Sequence, residues 1–149
     1  MKEKTILLVD DEQGFLEPLA DALIYEGCRV LRAFTVEDAL KILSSDKIDL
    51  VTIDIMIDPG PTLKNRLRSQ TAGLYLCEEI FKRYPHIHAF SISVVNDIDT
   101  IRKIESYGVR FLRKGETPLQ TVLNMFRSKL TGVAFSSERT KYYKSERSK

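Results

Sequence analysis

At 149 residues the chain has room for a single domain with a real core. Its 43% hydrophobic and 30% charged residues are those of an ordinary soluble globular protein. No apolar run approaches the roughly 20 residues that cross a bilayer, and the N-terminus shows no signal-peptide pattern, so no membrane association and a cytoplasmic location are expected.

The first element is Thr5-Ile6-Leu7-Leu8-Val9, an apolar run with the length and composition of a strand buried on both faces, ending directly in Asp10-Asp11-Glu12. Phe15, Leu16, Leu19, Ala20 and Leu23 then recur at helical spacing, and Gly27 closes that helix as a left-handed cap. Cys28 to Ala33 is a short second strand. Thr35 caps a second helix with Leu40, Ile42 and Leu43 at its apolar positions. Ile48 to Asp54 is another buried strand, and it too ends on a carboxylate. Asp58-Pro59-Gly60-Pro61 then stops regular structure, and Thr62 to Thr71 shows no clean period. This excursion holds Lys64, Arg66 and Arg68, with no acid between Pro59 and Cys77. A helix resumes near Gly73, carries Leu74, Leu76, Ile80 and Phe81, and ends before Pro85. His88 to Ser93 reads as a fourth strand. Asp97 or Asp99 caps a helix holding Ile98, Ile101 and Ile104, which ends at Gly108. Val109 to Leu112 is a fifth strand running into Arg113-Lys114. Thr117-Pro118 opens the last helix with a cap and an N1 proline, and Val122, Leu123, Met125 and Phe126 form its apolar face.

Net charge is +2 but unevenly placed: from Arg127 to Lys149, seven Lys or Arg stand against two Glu. Residues 1–130 are expected to form the domain, and 131–149 a basic, partly disordered tail with Tyr142 and Tyr143 to anchor it. Such a tail could touch phosphates and stack on bases. No helix-turn-helix pattern follows Leu130, however, so a solvated tail is favoured and nucleic acid is not expected as a partner. Cys28 and Cys77 form no paired motif and read as reduced core thiols. His86 and His88 flank Ile87 at strand spacing without a third ligand, which disfavours a metal there.

Strands alternating with helices imply an α/β fold: a doubly wound, five-stranded parallel sheet in three layers, joined by right-handed crossovers. Ligands of such sheets bind at the carboxyl ends of the strands. If the first and third strands are parallel neighbours, Asp10, Asp11 and Asp54 converge there. Two unit charges ~4 Å apart cost about 4 kcal/mol at an effective dielectric of 20. A cation removes that cost, and Mg²⁺ suits the site because it takes hard oxygen ligands and keeps several waters. A plainer reading makes Asp10, Asp11 and Glu12 caps of the following helix, which accounts for each singly but not for Asp54. Ser93 closes the fourth strand with a hydroxyl, and Lys114 follows the fifth with an ammonium. Together these groups suit an aspartyl phosphate. Asp54 attacks phosphorus, Mg²⁺ and Lys114 neutralise the phosphoryl oxygens, and the hydroxyl donates a hydrogen bond to one of them.

On Leu8-Val9-Asp10-Asp11-Glu12, Ile53-Asp54-Ile55-Met56, Ser93 and Gly108 to Lys114, taken in that order, the sequence resembles the receiver domain of two-component response regulators. The resemblance covers about residues 4 to 129 and implies the flavodoxin-like form of the fold. It implies Asp54 as phosphoacceptor with Ser93 and Lys114 assisting. It further implies Mg²⁺ held by Asp11, Asp54 and the Met56 carbonyl, with Asp10 acting largely through water, and a switch made of Ser93 and Phe111. The implied partners are a histidine kinase or phosphotransfer protein, a downstream protein target, and a second copy bound through the strand four to strand five face. The only chemistry implied is Mg²⁺-dependent self-phosphorylation and autodephosphorylation.

The sequence departs from that pattern in places. The stretch from Asp54 to Gly73 is longer than the family usually has. Val94 follows Ser93 where Ala or Gly is common, and is expected to narrow the approach to Asp54. Gly115 follows Lys114 in place of the usual proline, so the cis Lys-Pro bond cannot form. The segment from Gly108 to Lys114 is one position short. These departures favour an alternative, a pseudo-receiver that serves as a constitutive protein-binding module, whereas the intact acidic cluster favours a phosphorylatable, stand-alone receiver. The basic excursion is expected to be a partner-contacting or lid element, or else a passive surface loop.

Overall fold

In a computed structural model, residues 1–12, 14 and 16–132 are described. The elements alternate strictly: β1 (Thr5–Val9), α1 (Glu17–Tyr25), β2 (Arg29–Ala33), α2 (Val36–Ser45), β3 (Leu50–Ile53), α3 (Ala72–Arg83), β4 (His88–Ser93), α4 (Ile98–Ser106), β5 (Arg110–Arg113) and α5 (Leu119–Thr131). The five strands form one parallel sheet in the order β2-β1-β3-β4-β5. Every residue of β1 and β3 is buried, as the unbroken apolar runs require of strands covered on both faces.

The side chains of each strand alternate between two cores. Leu7, Val9, Val51 and Ile53 meet Val36, Ala39 and Leu43 of α2, Leu76, Cys77 and Ile80 of α3, and Ile104 of α4. Ile6, Leu8, Leu50, Phe90, Ile92 and Leu112 meet Leu19, Ala20 and Leu23 of α1 and Val122, Leu123, Phe126 and Leu130 of α5. The Phe90 and Phe126 rings meet at a tilt with centroids 4.8 Å apart, a pairing worth about 0.5–1.5 kcal/mol beyond the area it buries. This is the expected three-layer, doubly wound fold. No helix of the described residues is long and apolar enough to cross a membrane.

Several helix ends match the sequence expectation. Thr35 Oγ1 accepts from the Asp38 N–H at 3.0 Å, Asp97 rather than Asp99 caps α4 through the Thr100 N–H, and Gly27 is left-handed. The start of α5 differs: Pro118 itself stands at the cap, and no side-chain cap bond is made. The predicted Thr117 cap is therefore absent, and the helix relies on its buried face instead. At its other end α5 runs on to Thr131, with Gly132 as a left-handed cap. Residues 133–149, which include most of the expected tail, lie outside the described residues, as does Phe15.

The excursion after β3 is fastened to the fold. The Asp58 and Pro59 carbonyls accept from the Val36 and Glu37 N–H groups, satisfying two of the donors that α2 leaves open at its N-terminus. Glu37 in turn accepts from Thr62 at both its backbone N–H and its hydroxyl. Leu63 and Leu67, one helical turn apart, pack onto the α2/α3 core, while Lys64, Arg66 and Arg68 remain exposed.

Candidate functional site

Parallel register brings the chemistry together. Val9 pairs with Ile53 and Ser93 with Arg113, so Asp10, Asp54 and Lys114 each stand one residue beyond a strand on the same edge of the sheet. The ladder continues through all three: the Asp10 N–H bonds to the Ala33 carbonyl at 3.1 Å, that of Asp54 to Val9 at 2.9 Å and that of Lys114 to Ser93 at 2.9 Å. Side chains that leave a strand end on a paired backbone are held tightly, and these are buried. The exposure is 3% for Asp10 and 4% for Asp54.

Lys114 Nζ lies 3.0 Å from Asp10 Oδ2, 3.0 Å from Asp54 Oδ2 and 3.2 Å from Glu12 Oε1. Burial alone would favour the neutral amine. The hydrogen bonds and charges of Asp10 and Asp54 outweigh it and hold the ammonium above the ordinary lysine value. Burial pushes the Asp54 carboxyl above its usual range, and the Asp10 charge adds to that, while the Lys114 hydrogen bond pulls it back. Ser93 Oγ is fully buried and makes no hydrogen bond within the protein. It lies near enough to Asp54 to help draw that carboxyl's pKa back down.

The acidic segment after β1 is not a helix cap. Helix α1 begins only at Glu17 and has no side-chain cap bond. Asp10 Oδ1 instead accepts from the Glu12 N–H at 2.7 Å, a local turn that brings the Glu12 side chain over the site. Among the described residues, Asp10, Glu12 and Asp54 are the group whose ligand atoms lie within 4.8 Å of one another, close enough to share a metal ion. Asp11 is exposed, and its carboxylate accepts from the Asp58 N–H at 3.3 Å. The structure thus gathers Glu12 where the sequence reading placed Asp11. Met56 is 44% exposed and its N–H bonds to Asp54 Oδ1 at 3.2 Å. Phe111 is half-buried beside the α2/α3 core, and Val94 is 52% exposed. His86 and His88 are both exposed and take no part in the acidic group. No cis peptide bond occurs among the described residues, Lys114-Gly115 included.

Three carboxylates against one ammonium leave the pocket with an excess of negative charge, and hard oxygen donors in such a set fit a small divalent cation such as Mg²⁺. The response regulator receiver domain family matches residues 6–124. The chain belongs to that family. It is a receiver domain of the two-component response regulator type. Among its relatives, the transcriptional regulatory protein GlrR of Escherichia coli K12 is 39% identical over 114 residues, covering 76% of this chain and 23% of that protein. A putative NtrX-like response regulator of Rickettsia conorii is 33% identical over 100 residues, 67% of this chain and 19% of that protein. The matched region thus spans between about a fifth and a third of the length of the curated relatives.

Two solved structures share the receiver's fold at low identity. A CheY-like receiver domain protein from Methanospirillum hungatei JF-1 superposes with a TM-score of 0.73 at 20% identity, over 88% of this chain and 96% of the other. A response regulator from Burkholderia pseudomallei, solved with a phosphorylated aspartic acid, a calcium ion and citrate, gives 0.67 at 19% identity over 97% and 73%.

The receiver also contains features that the sequence reading missed. Glu12 as a partner of Lys114 was hidden in a run of three acids with no periodicity to rank them. In the sequence Gly73 signals only a helix start. A Cβ there would stand 2.3 Å from the Asp54 carbonyl oxygen, so α3 can rest on the backbone of the site only with glycine at that position.

Proposed function

We propose that this receiver accepts a phosphoryl group on Asp54 from a histidine kinase or phosphotransfer protein, and that the modification switches its binding of a downstream partner. One observation carries the reading: a buried carboxylate at the end of β3, with the Lys114 ammonium 3.0 Å from its oxygen and a partnerless buried hydroxyl, Ser93, nearby. The phosphorylated aspartate in the Burkholderia neighbour is consistent with that use of the site.

In the proposed transfer an Asp54 oxygen attacks phosphorus, the P–N bond of a phosphohistidine protonated on its other ring nitrogen breaks, and the imidazole leaves neutral, keeping that proton. Lys114, kept charged by its carboxylate partners, neutralises a phosphoryl oxygen, and Ser93 donates a hydrogen bond to another. Hydrolysis removes the modification: water bonds to phosphorus, the P–O bond to Asp54 breaks, inorganic phosphate leaves with one proton passing to solvent, and Asp54 regains its carboxylate. The receiver catalyses nothing beyond these two reactions on itself. Mg²⁺ when bound would supply further neutralisation of the phosphoryl charge. Asp10, Asp54 and the Met56 carbonyl would hold it, together with Glu12, which the structure places at the pocket, or Asp11, which the family resemblance implies. Ser93 and Phe111 would carry the change to the β4–β5 face, which would meet the downstream protein or a second copy of the chain.

The test is intact-mass measurement after incubation with acetyl phosphate and Mg²⁺. The reading expects a gain of one phosphoryl group that is absent without Mg²⁺ and absent in Asp54→Ala. A protein that never gains it is the constitutive binding module instead.

A further inference from the structure

Arg113, the residue before the site lysine, contacts three separate parts of the domain. Its guanidinium lies over the Phe111 ring, 5.5 Å from the centroid. Its Nε pairs with Glu116 Oε2 at 3.2 Å, in the loop after β5. Its Nη1 donates to the Val95 carbonyl at 2.9 Å and also to Asn96 Oδ1, both in the loop between β4 and α4. That loop follows directly on Ser93, the last residue of β4, and its residues Val94, Asn96 and Asp97 are exposed.

The register makes this contact more than a surface pairing. Arg113 stands opposite Ser93 in the ladder, and the N–H of Lys114 closes on the Ser93 carbonyl. The last residue of β5 and the one after it therefore hold this segment, Lys114 at the final carbonyl of β4 and Arg113 at Val95 and Asn96 of the loop. An exposed loop without such ties samples many conformations. Arginine suits the task because its planar, permanently charged guanidinium can lie against a ring while its edge donates to several acceptors in a fixed fork, whereas an ammonium is a compact point charge on a flexible stem.

We infer that Arg113 is a positioning residue: by clamping Val95 and Asn96 it fixes where Ser93 and the β4–α4 loop stand beside Asp54, and so sets the rate at which Asp54 is modified. This rests on the phosphoacceptor reading. Small displacements of a group that must meet a reacting phosphoryl carry large rate penalties.

Three variants of the full chain test the inference. Arg113→Gln removes the guanidinium clamp and its contact with Phe111, Asn96→Ala removes the side-chain acceptor while leaving the Val95 carbonyl, and Asn96→Asp turns the side-chain contact into an ion pair. Amide hydrogen exchange over residues 94–97 and the rate of Asp54 phosphorylation by acetyl phosphate with Mg²⁺ are both read. Arg113→Gln and Asn96→Ala are each expected to speed exchange and to slow phosphorylation about tenfold, the worth of one charge-assisted hydrogen bond. The half-saturating acetyl phosphate concentration should not move, and the double variant should be no slower than the worse single. Asn96→Asp should slow exchange. Wild-type exchange and rates in both weakening variants, or faster exchange with an unchanged rate, overturn the inference alone. A wild-type protein that takes up no phosphoryl group removes the phosphoacceptor reading and this inference with it.

Discussion

Replacing Gly73 by alanine should damage both the stability of the receiver and its site. The added Cβ would lie 2.3 Å from the Asp54 carbonyl oxygen, 2.6 Å from Ile55 Cα and 3.0 Å from the Asp54 carbonyl carbon. All three are backbone atoms of the sheet edge and cannot rotate away. Non-bonded atoms prefer roughly 3.5 Å, so the first turn of α3 must retreat by about 1 Å. That retreat breaks the Gly73 N–H bond to the Ile55 carbonyl, now 2.9 Å. Overpacking of this kind costs about 1–3 kcal/mol and the lost bond about 1 kcal/mol. Alanine's better helix propensity returns about 1 kcal/mol. The net expectation is a loss of about 1–3 kcal/mol in urea unfolding, and a melting midpoint lower by roughly 4 °C per kcal/mol for a domain of this size. Because the displaced atoms are the backbone of the phosphoacceptor itself, phosphoryl uptake should slow as well. An alanine variant as stable as the parent would refute the packing argument.

Two further outcomes follow from the site's electrostatics. Because burial raises the folded carboxyl pKa of Asp54, its ionised form opposes folding above that pKa and has no effect below the unfolded value. Asp54→Asn should therefore stabilise the metal-free protein at pH 7, with the gain shrinking as pH falls through the folded pKa towards the ordinary aspartate range; paired denaturant titrations across pH check the sign. The further carboxylate ligand can be assigned by Mg²⁺-dependent melting. A cation at a hundred times its dissociation constant adds about 2.7 kcal/mol. Glu12→Gln should reduce that gain more than Asp11→Asn if the arrangement around Lys114 is the one the ion uses, and the reverse order would return the role to Asp11.

Much of this architecture could be read from residues alone, because the signals are local. Unbroken apolar runs at Thr5–Val9 and Leu50–Ile53 leave little choice but strands buried on both faces, and a carboxylate after each must then surface at the same edge. Lys114 and Ser93 follow from the same rule. Glu12 was harder to place, since which of three consecutive acids enters the pocket depends on the Asp10–Glu12 turn. Thr117 resembled a cap, but Pro118 stands at the cap position itself. The excursion shows no period because only Leu63 and Leu67, a single turn apart, dock on the core. The roles of Gly73 and Arg113 are wholly tertiary: each depends on backbone brought close by a strand pairing distant in sequence.

The most direct measurement is the intact mass of the full chain after acetyl phosphate treatment with and without Mg²⁺, followed by peptide mapping of the modified residue. A single phosphoryl group on Asp54, formed only with the metal and missing from Asp54→Ala, is the predicted result. An unmodified protein, or the group on any other residue, would contradict the phosphoacceptor assignment.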